Sequence, residues 1–304
     1  MVCCVDTSNI FFIIWSMFKK DCLQKNGEDY VIKEEDLGLF YHMFLRKIMP
    51  FITTYKDCVF CFEGLHSTKW RKEIFPPYKE NRKDRTEDPN YKWVGPMMEK
   101  MLEYLSHFHC KILKVENCEG DDCIYQTCKY YVEKGESVRI ISTDKDLSQI
   151  MNFYPENVSQ YNPVKQENVS KNKNILLEKA LVGDTSDNIK AFKGLGPKTF
   201  EKMMEDQDFW NKKMTPSNLQ MLDVVMKIID LRQYPQEYQN NIVKELDKPW
   251  NEFDKDSVEK FLLDNGLKAC YSDWTSSWSN EIEAQSFEQE DAMDEINQIL
   301  NGEV

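Results

Sequence analysis

Val138-Arg-Ile-Ile-Ser-Thr-Asp-Lys-Asp146 decides how the chain is read. Four residues of an apolar strand run into two acids one residue apart, and an apolar periodic stretch beginning at 147 starts a helix. The same order occurs earlier. Val2-Cys-Cys-Val5 is a buried strand closed by Asp6, with a helix over 10–18 behind it. Val59-Phe-Cys-Phe62 ends on Glu63, and residues 36–54 before it carry apolar positions at helical spacing (Leu37, Phe40, Tyr41, Phe44, Leu45, Ile48) that stop near Pro50. A third strand over 111–115 leads to Glu119-Gly-Asp-Asp122, which opens a helix to about 134 with acids where the helix dipole favours them. Residues 96–107 form another helix. Apolar strands alternating with helices predict an α/β fold with a mostly parallel central sheet flanked by helices on both faces. The acids fall at the C-terminal ends of strands, the edge where open α/β sheets place their sites.

Downstream, 152–174 is polar and asparagine-rich and reads as an excursion or β-ribbon. Helices follow at 175–182, 197–204, 216–232, 235–246 and 256–265, a second half made almost wholly of helix. Between the first two lies Val182-Gly-Asp-Thr-Ser-Asp-Asn-Ile-Lys-Ala-Phe-Lys-Gly-Leu-Gly-Pro-Lys-Thr199. It carries Asp184 and Asp187 three residues apart, then a glycine turn with Pro197 suited to the first turn of a helix. Such a turn presents backbone amides to a phosphate, with Lys198 adding charge, or simply caps the helix. It is not a GxxxxGK[ST] nucleotide loop.

The 304 residues are 41% hydrophobic and 12% aromatic, enough for a sizeable core. No apolar run approaches the roughly 18 residues of a membrane span, and no signal peptide is evident, so a cytoplasmic location is expected. The ten cysteines mostly fall in apolar segments and read as reduced core thiols, including the Cys58–Cys61 CxxC pair. His107 and His109 read as packing or surface residues. The net charge of −13 argues only superficially against a polyanionic partner. Residues 281–304 supply −8 of it, whereas 66–85 hold seven Lys or Arg against three acids. In that basic stretch Lys79, Arg82 and Arg71 offer grips for phosphate, and Trp70, Phe75 and Tyr78 offer rings for unpaired bases; a solvated basic loop is the other reading.

The acids at special positions are Asp6, Glu63, Glu119, Asp121, Asp122, Asp144, Asp146, Asp184 and Asp187. Converging on one sheet edge, they would repel one another without cations between them. Hard oxygen ligands without a matching His or Cys set select Mg²⁺ or Mn²⁺ over zinc. Two such ions suit phosphodiester hydrolysis without a protein nucleophile. Taken singly, the same acids read as helix caps and surface charges.

In their order these motifs resemble the 5′-nuclease superfamily of flap endonucleases, polymerase-associated 5′-nuclease domains and phage 5′→3′ exonucleases (phage RNase H). The series is Asp6; Phe62-Glu-Gly64; Trp70-Arg71; Tyr78-Lys-Glu-Asn-Arg82; Glu119-Gly-Asp-Asp122; Ser142-Thr-Asp-Lys-Asp146; Gly183-Asp-Thr-Ser-Asp-Asn188; and Gly194-Leu-Gly-Pro-Lys198. The resemblance covers about residues 1–265. It implies a PIN-like 5′-nuclease core over 1–180 with a helical arch around 64–95, a helical DNA-binding domain over 181–271 with a helix-turn-helix element, and an acidic, weakly ordered tail over 272–304. It further implies that Asp6, Glu63, Asp121, Asp122 and Asp144 hold a first Mg²⁺ with Glu119 beside them, and that Asp146, Asp184 and Asp187 hold or orient a second; Mn²⁺ substitutes. Relatives usually have Asp where this chain has Glu63. By the same resemblance Lys79 and Arg82 join Asp144 in catalysis, and Trp70, Arg71, Tyr78, Lys79, Arg82, Gly194, Gly196, Lys198 and Thr199 contact nucleic acid, with K⁺ at the glycine turn. The implied activity is 5′→3′ exonuclease and flap endonuclease cleavage near 5′ ends of DNA flaps, nicked duplex or RNA primers in replication and repair. A monomer is expected, and Trp274, Trp278, Ile296, Ile299 and Leu300 suggest docking to a sliding clamp or single-strand-binding protein, or else a merely solubilising tail. Two other readings stand beside this one: a catalytically weak junction-binding protein of the same fold, and a PIN-type ribonuclease, a class that typically lacks the glycine turn.

Overall fold

A computed structural model of the chain describes residues 1–82 and 87–285. Six strands form one sheet in the order β3-β2-β1-β4-β5-β6. They are β1 (Val2–Asp6), β2 (Cys58–Cys61), β3 (Cys110–Leu113), β4 (Val138–Ile141), β5 (Val158–Asn162) and β6 (Glu167–Asn168). The first five are mutually parallel and only β6 is antiparallel. Every residue of β1 and β2 is buried, as a sheet covered on both faces requires.

Strand periodicity sorts these side chains into two cores. Cys3, Val5, Cys58 and Phe60 face α1 (Thr7–Asn26), α2 (Leu37–Thr54) and α4 (Val94–Leu105). Val2, Cys4, Val59 and Cys61 face α5 (Gly120–Glu133) and α6 (Ser148–Phe153). α3 (Lys69–Ile74) lies between α2 and α4 in the chain. All ten cysteines are buried and free, as expected.

Three expectations change. First, α2 continues through Pro50 to Thr54. Pro50 and Arg46, whose carbonyl loses its helical partner, are both exposed, so water meets the missing bond while Met49, Phe51 and Ile52 stay buried. Second, 152–174 contains a fifth parallel strand, β5, with β6 turning back along it. Third, the segment from 272 is not weakly ordered as far as 285. After α11 (Gln236–Asp247), α12 (Lys255–Asp264) and α13 (Lys268–Asp273), the chain stays helical to 285 through a π-helical turn, Trp274–Trp278. Trp274 and Trp278 are buried in the first core, Trp274 against the rings of Phe108 and Phe253. The rest of the tail, with Ile296, Ile299 and Leu300, lies outside the described residues.

The helices of the expected 181–271 domain pack in several places. α11 joins the second core through Ile242 and Leu246, and α12 and α13 join the first. What stands apart is α7 (Ile175–Val182), α8 (Pro197–Glu205), α9 (Gln207–Lys213) and α10 (Pro216–Ile229), closed around Leu181, Phe192, Leu195, Phe200, Met203 and Met214 on one side and Ala180, Ile189, Val225 and Ile228 on the other. Among the described residues, no helix is long and apolar enough to cross a membrane.

Candidate metal centre and nucleic-acid cleft

Each acid of the first group comes from a different strand end. Asp6 closes β1, Glu63 lies two residues past β2, Asp121 sits in the first turn of α5 after β3, and Asp144 follows β4. All four line one cleft of about 920 Å³. Asp6 also caps α1, accepting from the Asn9 amide at 3.2 Å, and accepts from the Ser142 hydroxyl at 2.7 Å. Ser142 Oγ in turn accepts from the Asp144 amide at 3.0 Å, so one hydroxyl sets two acids. The Glu63 amide donates to Ser8 Oγ at 2.9 Å.

These acids are crowded. Burial pushes the Asp6 carboxyl up to about 6, with Asp144 adding to the rise. Glu63 is exposed at the cleft mouth, and there the surrounding walls, then the Glu119 charge, push its carboxyl upward. Burial, then Asp144 and Asp6, push Asp121 well above the ordinary carboxylate range. Among the described residues none of Asp6, Glu63, Asp121 or Asp144 has a Lys, Arg or His partner within 4.0 Å. The cleft contains no His or Cys. Its oxygen-only donor set and raised carboxyls fit a hard divalent ion.

The second group is arranged otherwise. Asp146, Asp184 and Asp187 each present an oxygen within 4.8 Å of the others. Lys179, from α7, ion-pairs with all three: with Asp146, with Asp184 at 2.8 Å and with Asp187 at 2.7 Å. Burial works against Asp184's charge, but Lys179 outweighs it and holds the carboxyl down at about 2. Asp146 remains raised, because burial exceeds the help from Lys179. The loop is held by paired amide bonds between Asp184 and Ile189, both 2.8 Å, and by Ser186, whose amide and hydroxyl donate to Asp184 at 2.7 and 2.6 Å.

Asp122 and Glu119 are paired with basic side chains. Asp122 is fully buried and receives Arg71 at 2.6 and 2.9 Å and the Glu119 amide at 2.9 Å. It anchors α5 and lies outside the cleft. Glu119 borders the cleft, but its oxygens are taken by Lys79, by Arg71 at 3.0 Å and by the Tyr78 hydroxyl at 2.9 Å. Burial opposes its charge, yet Arg71 and Lys79 more than compensate and hold it at about 2. Arg71, Trp70 and Tyr78, expected at the nucleic acid, are buried in this structure. A guanidinium placed among two carboxylates and the Ile228 carbonyl, 2.9 Å away, is worth more inside than in water.

Of the basic stretch, Lys79 and Arg82 do reach the cleft. Lys79 has a left-handed backbone, φ +53°, and its amide donates to the Asp187 carbonyl at 3.0 Å. Arg82 approaches Asp187 at 3.5 Å. Asn188 donates to the Pro77 carbonyl at 2.7 Å, so the stretch is pinned to the second acid loop. Residues 83–86 lie outside the described residues. Lys198 and Thr199 stand in the first turn of α8 behind the Gly194–Gly196 turn, with Lys198 exposed and remote from any acid pairing among the described residues. Sequence reasoning missed Lys179, Ser142, Asn9 and the cleft wall of Phe12, Ile13 and Met17 on α1. The available signals were a lysine one turn before Gly183-Asp184 and apolar α1 positions beyond the buried face.

Residues 1–180 match the family described as 5′-3′ exonuclease, N-terminal resolvase-like domain. The 5′-3′ exonuclease of Aquifex aeolicus is 31% identical over 170 residues, 51% of this chain and 55% of that protein. The Ribonuclease H of Enterobacteria phage T4 is 27% identical over 149 residues, 46% of this chain and 47% of that protein. The chain thus spans about half the length of these curated relatives. In fold it is similar to the T5 D15 protein co-crystallised with metal ions, with a TM-score of 0.53 at 17% identity, covering 88% of this chain and 98% of that one. It is also similar to a variant of the same phage flap endonuclease in a pseudo-enzyme–product complex with DNA and metal ions, with a TM-score of 0.52 at 17% identity over the same shares.

Proposed function

The chain belongs to the 5′-3′ exonuclease family, and from that premise we propose that it is a metal-dependent, structure-specific 5′-nuclease hydrolysing phosphodiesters near 5′ ends on DNA flaps, nicked duplex or RNA primers. One observation carries this reading: Asp6, Glu63, Asp121 and Asp144, from four strand ends, line one cleft, and among the described residues none of them has a Lys, Arg or His partner within 4.0 Å.

Those four would hold one Mg²⁺, with Mn²⁺ able to replace it. Asp146, Asp184 and Asp187 would hold a second. Bound there, the ions would supply an activated water and charge stabilisation at the leaving oxygen. The chain's own residues do the positioning. Ser142 and Asn9 fix the Asp6 carboxylate by hydrogen bonds. Lys79 and Arg82 put positive charge at the cleft rim, where a phosphodiester must enter. The amides of the Gly194–Gly196 turn and Lys198 suit duplex backbone, and K⁺ is proposed there on the family resemblance.

The test is a 5′-flap duplex incubated in Mg²⁺, in Mn²⁺ and in EDTA. Cleavage near the flap base in both metals and none in EDTA is expected. Binding without cleavage in either metal would sink the enzyme reading and leave a junction-binding protein. Faster turnover of single-stranded RNA than of the flap would favour a ribonuclease.

A further inference from the structure

We propose that Lys179 is a built-in cation that neutralises the Asp146–Asp184–Asp187 group until a divalent ion takes its place. The inference rests on the reading that the acid groups bind divalent ions, and it goes beyond that reading by making the two groups unequal.

Three carboxylate oxygens lie within 4.8 Å of one another. Such a cluster is unstable without a positive charge inside it. The Lys179 ammonium ion-pairs with three different carboxylates and donates hydrogen bonds to two of them, Asp146 and Asp187, so most of its bonding capacity is spent on this group. Its side chain is only 10% exposed, so in this arrangement it has little surface left for a substrate phosphate.

Asp6, Glu63, Asp121 and Asp144 have no equivalent partner among the described residues. One group is open and over-negative. The other is closed by a single flexible side chain rooted on α7, in the last turns before Gly183. A divalent ion entering the open group has no side-chain ammonium to displace. An ion entering the closed group must displace one, and a four-carbon stem allows that by rotation without moving the helix. The two ions therefore bind with different affinities, and Lys179 sets the difference.

Mn²⁺ binding to the full chain, read by electron paramagnetic resonance of free Mn²⁺, tests this. In the wild type, one tighter and one weaker class of site are expected. Lys179→Met is expected to tighten the weaker class by at least about tenfold, the direction set by removing a competing unit charge, while Lys179→Arg keeps it weak. Unchanged or weaker Mn²⁺ binding in Lys179→Met overturns the proposal. No Mn²⁺ bound by wild type, or binding indifferent to Asp144→Asn, overturns the underlying metal reading instead. A second measurement needs only folded wild-type protein: the lysine ammonium resonance of Lys179, slowed in exchange by its three partners and assigned by its absence in Lys179→Arg, should disappear as Mg²⁺ fills the weaker class. Its persistence at saturation would overturn the exchange.

Discussion

Arg71 brings one positive charge into a place without water, and that charge decides what two acids can do. It meets Asp122 through two nitrogens and Glu119 through one, holding Asp122 outside the cleft and occupying an oxygen of Glu119 at its border. Arg71→Met is expected to destabilise the chain by about 3–5 kcal/mol, because Asp122 would be left buried and unpaired; urea unfolding monitored by circular dichroism measures it. Asp144 stands on the other side of that division. Asp144→Asn is expected to lower flap cleavage by at least about a hundredfold while changing flap binding little, since removing one well-placed charge from a polar active site has that order of effect; rate and affinity measured on the same substrate separate the two. Residue types and strand-end positions made Asp6, Glu63, Asp121 and Asp144 legible in the sequence. What was not legible is which acids the protein neutralises for itself. Arg71 and Asp122 are 51 residues apart, and Lys179 and Asp146 are 33 apart, so local pattern carries no record of either pairing.

At the scale of elements, the parallel strands and their helices were legible because apolar strands and helical periodicity agree at each step. β5 was not, because Val158-Ser-Gln-Tyr-Asn162 alternates with polar residues. Gln160 is buried there because its amide donates to the carbonyls of Ser142 and Asp144, steadying the acid loop from the neighbouring strand. Gly64 and Gly183 mark where backbone closes on backbone. A Cβ on Gly64 would stand 1.8 Å from the Val115 carbonyl oxygen. Gly64→Ala is therefore expected to shift the loop carrying Glu63 and to cost about 1–3 kcal/mol, read by thermal unfolding. Gly183 has φ +89°, and a Cβ there would stand 2.5 Å from the Ala191 amide nitrogen, which is how α7 ends where the Asp184 loop begins. For the glycine turn and α8, the expected outcome is that Lys198→Ala weakens duplex binding and lowers the slope of log affinity against log salt by about one phosphate's share. A salt titration of binding checks it, and an unchanged slope would remove the turn from the interface.

Across the whole molecule, the acid edge makes stability depend on pH in an unusual direction. Asp6, buried, holds its proton up to about 6 in the folded chain against an ordinary value of 3.8, and the raised carboxyl of the exposed Glu63 acts in the same direction. The stabilisation this gives is complete below about pH 4 and is lost as pH rises through about 6. Glu119 and Asp184, held at about 2, act oppositely, but theirs is lost only as pH falls toward 2. In EDTA the melting temperature is therefore expected to fall between pH 5 and about 8. The gain on adding Mn²⁺ should grow over the same range, because the ion binds the deprotonated acids. Scanning calorimetry at fixed ionic strength gives both slopes, and a flat EDTA curve would deny the crowding.

The two rims of the sheet carry a consequence of another kind. At one rim the Asn251 amide donates to the Cys110 carbonyl at 3.1 Å, and the segment leading to α12 lies along β3. At the other, the two exposed residues of β6 turn back antiparallel on β5, with Lys165 and Glu167 beside the turn. A foreign strand seeking backbone partners meets a covered rim on one side and a short, charged one on the other. Concentrated solutions of this chain should resist edge-to-edge aggregation, despite a sheet whose central strands are as apolar as those of many fibre-forming segments.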